Sequence, residues 1–247
     1  MIVGGLAGTI AAKTLRELDV EAGITVIEGE RYDYYPRPNL IEYIAGKLPY
    51  ESIFAFSRGW AERQKIDFRK TTTAVKIDPA GKKVVTSDGG ELEYDRLLLT
   101  TGARPNLPAV PGKDLKGVFC LRTVDDARDV LEALPSAGRV AVLGGGLLGL
   151  EIARAVRAAA AAVEVTVVEF MDRLLPRQLD RTGSEILKRQ FESLGIEVRL
   201  GVRTSAIVGS GRVEGVKFED GGGLDAGLVI AAVGVAPETA LAAAAGI

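Results

Sequence analysis

Two short runs of glycine, each followed by a glutamate at a fixed interval, are the residues here whose types and spacing could do chemistry. In one, Val140-Ala141-Val142-Leu143 runs into Gly144-Gly145-Gly146-Leu147-Leu148-Gly149, and Glu169 stands 20 residues after Gly149. In the other, Ile2-Val3 runs into Gly4-Gly5-Leu6-Ala7-Gly8, and Glu28 stands 20 residues after Gly8. A strand that enters G-x-G-x-x-G and then a helix, with an acid about 20 residues on, is built to hold a dinucleotide. The first glycine makes a tight turn, the second lets pyrophosphate approach the backbone, and the third lets helix and strand pack closely. N–H groups at the helix start hold the phosphates. The glutamate accepts hydrogen bonds from the adenosine ribose.

The match at Gly144, Gly146, Gly149 and Glu169 is complete. Glu169 points to NAD rather than NADP, because a 2′-phosphate would meet like charge; Phe170 follows it, and Arg173 is the nearest cation along the chain. The first run is one residue short: with Gly8 in the third place and Gly5 in the second, Val3 falls where the first glycine belongs. A plain glycine turn is the competing reading there.

The elements that must position these groups come as an internal repeat. After each glycine run and its helix comes a β-branched run ending on the glutamate, Ile24-Thr25-Val26-Ile27-Glu28 and Val165-Thr166-Val167-Val168-Glu169. Ile66-Asp67-Phe68-Arg69 then matches Ile196-Glu197-Val198-Arg199, and Asp88-Gly89 and Asp220-Gly221 mark hairpin turns. Each copy closes on an apolar strand and G-x-x-P, at Gly102 to Pro105 and Gly234 to Pro237. The expected fold is α/β: two Rossmann-like dinucleotide-binding domains of three-layer type, each with a small β-meander. Pro105, Pro108 and Pro111 mark a linker near Asn106 to Asp114. The domains are expected at 1–108 (FAD), 109–237 (NAD), and a return segment starting at 238–247.

Composition narrows the chemistry. Among 247 residues, 31 Lys+Arg face 33 Asp+Glu, so no broad basic field exists for nucleic acid or anionic lipid, and neither partner is expected. There is no histidine and one cysteine, Cys120, which excludes an intramolecular disulfide and a CxxC knuckle, and no metal site is expected. Redox work must then sit on a bound cofactor. Met1 to Ala12 is apolar but has no basic flank or cleavage site, and Lys13 ends it well short of the ~20 residues of a membrane span, so a cytoplasmic location is the expectation.

Several other segments carry expectations. Tyr32, Tyr34, Tyr35 and Tyr43 form an aromatic cluster that suits either a flavin pocket or packing between helices. Ile53, Phe54, Phe56, Trp60 and Ile66, in and just after Tyr50 to Lys65, fall on approximate helical spacing and read most simply as core packing. Lys82 and Lys83 read as edge-strand protection. Asp180 to Leu194 reads as an amphipathic helix ended by Gly195.

Four stretches, Tyr34 to Glu42, Leu121 to Ala127, Gly144 to Glu151 and Arg177 to Asp180, resemble the FAD-dependent pyridine nucleotide-disulfide oxidoreductase superfamily. Within it the likeness is to NADH:rubredoxin reductases and the flavin segments of NADH-dependent nitrite reductases. The resemblance implies FAD contacts from Gly4, Gly5, Gly8, Glu28, Arg31, Val75, Thr101, Gly102 and Arg122, with Arg37 and Pro38 beside the flavin. It implies NAD contacts from Gly144, Gly146, Gly149, Glu169, Val233 and Gly234. Glu151 and Glu42 are the catalytic candidates, near the nicotinamide. From the residues alone, Arg37 and Arg122 suit a solvated surface equally, and Glu151 suits a helix dipole.

The departures from the family are informative. No cysteine stands between Glu28 and Gly59, where disulfide and peroxide reductases carry theirs, so thiol chemistry is not expected. Cys120 reads as a small buried hydrophobe at a strand end. Some ferredoxin-reducing relatives carry a lysine where this chain has Glu42, paired with the glutamate matching Glu151; two carboxylates cannot form that pair. Family members also continue into a second FAD segment and an interface domain, which are expected to lie outside this sequence. The implied activity is hydride transfer from NADH to FAD, then electron delivery to rubredoxin or a small iron-sulfur protein. The rivals are an NADH oxidase and an FAD/NAD-binding subunit of a larger complex, such as a nitrite reductase or amino-acid dehydrogenase. A nucleotide sensor without turnover and a homo-oligomer remain open.

Overall fold

The structure, a computed structural model, describes residues 1–3 and 5–247, with the side chains of Ile2 and Val3 excepted; the candidate Gly4 lies outside the described residues. In chain order the elements are β1 (Ile2–Val3), α1 (Gly5–Leu18), β2 (Ile24–Ile27), α2 (Asn39–Ile44), α3 (Trp60–Arg63), β3 (Ile66–Arg69), β4 (Ala74–Asp78), β5 (Lys83–Thr86), β6 (Glu91–Glu93), β7 (Leu98–Leu99) and β8 (Ala103–Pro105). They continue as β9 (Val118–Phe119), α4 (Val124–Ala137), β10 (Arg139–Leu143), α5 (Leu147–Ala159), β11 (Glu164–Val168), α6 (Arg181–Ser193), β12 (Ile196–Arg199), β13 (Thr204–Val208), β14 (Gly215–Phe218), β15 (Gly223–Asp225), β16 (Leu228–Ala231), β17 (Val235–Pro237) and α7 (Ala240–Ala244).

The chain divides into two units, one of residues 1–36, 51–104 and 236–247, the other of 37–50 and 105–235. Residues 37–50, assigned to the first half from sequence, thus belong with the second. The reason is long-range packing: α2 packs on α4 and α5, burying Leu40, Ile41 and Ile44.

The first unit has a parallel sheet ordered β3-β2-β1-β7 and the second a parallel sheet ordered β12-β11-β10-β16-β9. The order is the same, with β9 added at one edge. Both carry an antiparallel meander, β4-β5-β6 and β13-β14-β15, and in each the first strand shifts register at the same place, between Ala74 and Lys76 and between Thr204 and Ala206. Val140 to Leu143 and Val165 to Val168 are buried throughout, the continuous apolar pattern of strands covered on both faces.

Helix limits follow local chemistry. Thr123 caps α4 in a reciprocal capping box with Asp126, and Asp180 caps α6 by accepting from the Gly183 N–H. Gly195, at φ +76°, stands two residues after the last residue of α6.

Of the apolar residues expected to pack as core around Tyr50 to Lys65, Ile53 and Ile66 are buried, although the stretch is not one helix: Gly59 turns at φ +74° and only Trp60–Arg63 is α-helical, while Phe56 stacks on Trp60 at 4.2 Å between ring centroids. Lys83 does not guard an edge, since β5 is the middle strand and Lys83 pairs with Glu91 on β6 at 3.1 Å. The tyrosines divide as well. Tyr32 and Tyr35 meet edge to face in the first unit, with Tyr35 also against Phe54, whereas Tyr43 packs on Tyr50 in the second. Among the described residues no helix is long and apolar enough to cross a membrane.

Candidate dinucleotide-binding sites

In the second unit, strand register delivers the motif residues to one edge. Leu143 lies level with Val168 and with Ala231, so Gly144, Glu169 and Ala232 emerge together at the carboxyl ends of β10, β11 and β16, where open α/β sheets bind ligands. The Gly144 N–H donates to the Val168 carbonyl and the Ala232 N–H to the Leu143 carbonyl, both at 2.8 Å. A Cβ at Gly144, which has φ +116°, would stand 2.5 Å from the Ala232 carbonyl oxygen, and one at Gly149 only 2.0 Å from that of Gly144. Both positions require glycine for close backbone approach. Gly146 differs: nothing lies within 4 Å of where its Cβ would be.

That open space fronts the start of α5. Gly146 offers no side-chain cap, unlike Thr123 before α4 and Asp180 before α6, and α5 has no acid in its first turn, unlike α4. The first N–H groups of α5 therefore face outward with no side-chain acceptor, the arrangement that takes a pyrophosphate. Glu169, 6% exposed, accepts from the Gly145 N–H at 2.6 Å on one oxygen and the Met171 N–H at 2.8 Å on the other. Each oxygen keeps a lone pair for a ribose hydroxyl. The residues present fit an adenine dinucleotide.

The first unit repeats the plan. Val3 lies level with Ile27 and Leu99, and Glu28 accepts from the Gly5 N–H at 2.9 Å and the Glu30 N–H at 3.2 Å. Gly5 turns at φ +73° and Gly8 is buried in α1. Thr101 and Gly102 follow β7 at the same sheet edge; the Thr101 hydroxyl donates to the Glu238 carbonyl, and the Gly102 carbonyl accepts from the Glu238 N–H at 2.9 Å. The Arg31 guanidinium lies 5.0 Å from the centre of the Tyr32 ring. Val75 sits at the register shift of β4, which leaves it 55% exposed.

A cavity of about 290 Å³ in the second unit gathers candidates that lie far apart in sequence: Arg37 and Pro38, Arg122, and Glu151. Its remaining wall is apolar, with Leu121, Leu147 and Leu148. Arg37 donates from Nη1 to the Arg122 carbonyl at 2.9 Å, and the Arg122 N–H donates to Asp126 at 2.9 Å. Glu42 does not line this cavity, but both it and Glu151 contact Arg154. Beyond β16, Val233 is partly exposed and Gly234, at φ +103°, accepts the Asn106 N–H at 3.0 Å.

Sequence reasoning did not single out Arg154 or Arg203. The former was legible only as a helical neighbour of Glu151. The latter stands over the Phe170 ring at 5.3 Å, next to Glu169 in sequence, whereas Arg173 reaches Asp172 at 3.6 Å. A second cavity, about 470 Å³ between β9 and α4, holds none of the motif residues. Cys120 is partly buried with Sγ 4.0 Å from the Asn106 carbonyl, and burial pushes its thiol up from its ordinary value. No cluster of metal-ligating side chains exists among the described residues.

Comparison with known proteins agrees with this geometry. The sequence profile described as pyridine nucleotide-disulphide oxidoreductase matches residues 1–247. The NAD(P)H nitrite reductase of Bacillus subtilis (strain 168) is 35% identical over 248 residues, covering all of this chain and 31% of that protein. An NADH oxidase of Methanocaldococcus jannaschii is 38% identical, covering all of this chain and 56% of that protein. The crystal structure of the ferredoxin reductase for the CYP199A2 system of Rhodopseudomonas palustris superposes with a TM-score of 0.93 at 33% identity, over 99% of this chain and 61% of that one. The chain thus spans from about a third to three-fifths of these relatives. With two dinucleotide-binding folds and a profile match along its whole length, the chain belongs to the pyridine nucleotide-disulphide oxidoreductase family.

Proposed function

We propose that the chain forms the FAD- and NADH-binding halves of an NADH-dependent flavoprotein oxidoreductase that delivers electrons to rubredoxin or a small iron-sulfur protein. FAD belongs to the unit that begins at Met1, NADH to the unit that carries Gly144 to Gly149. The observation that supports this most is the doubled clamp, in which Glu28 on Gly5 and Glu169 on Gly145 each close a glycine turn at the carboxyl edge of a parallel sheet.

A bound FAD would supply the chemistry that links two-electron donation by NADH to one-electron delivery. The protein's share is placement. Glu28 and Glu169 orient the adenosine riboses, and the N–H groups opening α1 and α5 hold the pyrophosphates. Arg37, Arg122 and Glu151 supply charge to a cavity otherwise lined by apolar side chains. The buried carboxylate of Glu169 favours NADH, because a 2′-phosphate beside it would meet like charge. Burial pushes the Cys120 thiol up, away from the thiolate form that a thiol relay would use. A cytoplasmic location suits a reductase fed by NADH.

The test is the visible spectrum of the purified protein under anaerobic conditions. A flavin band that bleaches on adding NADH is expected, with a much weaker response to NADPH; no flavin, or no bleaching, would sink the reading. The relatives are named as nitrite reductase, NADH oxidase and ferredoxin reductase. Comparing reoxidation rates with oxygen, rubredoxin and a ferredoxin ranks the acceptors.

A further inference from the structure

Two carboxylates beside the cavity share one guanidinium nitrogen. Nη2 of Arg154 lies 2.7 Å from Glu151 Oε2, one turn back on α5, and 3.1 Å from Glu42 Oε1 on α2. That nitrogen carries two hydrogens, so one group can serve both carboxylates at once. The hydrogen bonds from Glu151 and then Glu42 hold the Arg154 guanidinium above its ordinary value. Only Glu151 of the three lines the cavity.

The neighbouring charges do not replace Arg154. Lys47 reaches Glu42 Oε2 at 3.8 Å from the far side, and Arg37 and Arg122 line the cavity. The strands packed under α5 engage their charges elsewhere, Arg139 with Glu164 and Asp225, and Arg199 with Glu197. On α4, which packs on α2, Asp126 accepts the Arg122 and Thr123 N–H groups and Arg128 lies over the Tyr50 ring.

We propose that Arg154 is a positioning residue for the nicotinamide end of the NADH site, holding Glu151 against the cavity by cancelling its repulsion from Glu42. This rests on the reading that Gly144 to Gly149 binds NADH. Without the guanidinium, two like charges on adjoining helices push apart and Glu151 turns to solvent. The adenosine and pyrophosphate remain held by Glu169 and the start of α5. The loss is therefore confined to one end of the ligand.

The test compares two ligands on the flavin-loaded protein by calorimetry: NAD⁺, and ADP-ribose, which lacks the nicotinamide. Arg154→Met is expected to weaken NAD⁺ about fivefold, the scale of a half-exposed charge pair, while ADP-ribose stays within about twofold. Arg154→Lys is expected to restore most of the NAD⁺ affinity. Adding Glu42→Gln to Arg154→Met is expected to restore part of it, because the repelling charge is gone; a purely structural arginine would not be rescued this way. Equal loss of both ligands, or unchanged NAD⁺ binding, overturns the proposal. A wild-type protein that binds neither ligand overturns the NADH-site reading and this inference with it, whereas a wild type that binds both isolates any failure to Arg154.

Discussion

The two glycine turns perform one job with different lengths of chain. In the second unit the N–H that meets the glutamate belongs to Gly145, four residues before the buried Gly149; in the first it belongs to Gly5, three residues before the buried Gly8. Both carboxylates also accept the N–H two residues further on, and the backbone N–H of each glutamate donates to a carbonyl of the third strand. What persists between the copies is the hydrogen bond from turn to glutamate, not the count of glycines. The second copy is the drier one: Glu169 is buried where Glu28 is half-exposed.

A further parallel lies at the other end of the dinucleotide helices. Arg16 and Arg157 each stand eight residues after the last motif glycine and tie the helix end to the loop before the third strand. Arg16 is buried and donates to the carbonyls of Asp19, Val20, Ala22, Gln64 and Lys65. Arg157 is half-buried and donates to Leu194 and Ala161. The residue before the third strand is in the left-handed region in both copies, Lys65 at φ +52° and Gly195 at φ +76°.

Six substitutions, in four tests, would break or sharpen this comparison. The largest effect is expected from Gly149→Val, because even a Cβ would lie 2.0 Å from the Gly144 carbonyl oxygen. NADH binding should fall at least a hundredfold with flavin content retained, on the order of the 1–3 kcal/mol or more that overpacking costs; calorimetry on the flavin-loaded protein measures it, and loss of flavin together with NADH would show that the units are not independent sites. Arg16→Met should destabilise by about 3 kcal/mol, since five carbonyls lose one buried donor, and Arg157→Met by about 1 kcal/mol. Equal shifts in denaturant unfolding would contradict the difference in burial.

Glu169→Gln leaves a backbone N–H facing an amide NH₂ and should cost about 2 kcal/mol of stability, with Glu28→Gln costing less because water reaches it. The reverse order in thermal unfolding would count against the drier second turn. The smallest effect is expected from Lys65→Gly, which relieves a left-handed non-glycine residue and should stabilise by at most about 1 kcal/mol. A loss of stability there would show that the Lys65 side chain contributes more than its backbone strain costs.

The repeat was legible because it is written in short-range code: β-branched runs, Asp-Gly turns and glycines that only close backbone approach requires. Gly144, Gly149 and Glu169 could be placed from spacing alone, since strand register carries them to one sheet edge. Residues 37–50 could not be assigned, because α2 shows only its own apolar side, and which partner covers it is a matter of long-range packing. Lys83 misled for a similar reason: a hairpin motif does not say which of its strands acquires a second neighbour.

The sequence by itself determined that there are two dinucleotide folds and that these 247 residues hold no histidine and a single cysteine, since periodicity, spacing and composition are properties of the chain. Only the tertiary structure decided which distant charges meet. Arg154 reaches Glu42 across 112 positions of sequence, and Arg203 finds Phe170, because helix packing and strand order bring them within a few ångströms. Such pairings depend on the close-packed arrangement of whole elements, and local sequence carries no record of it.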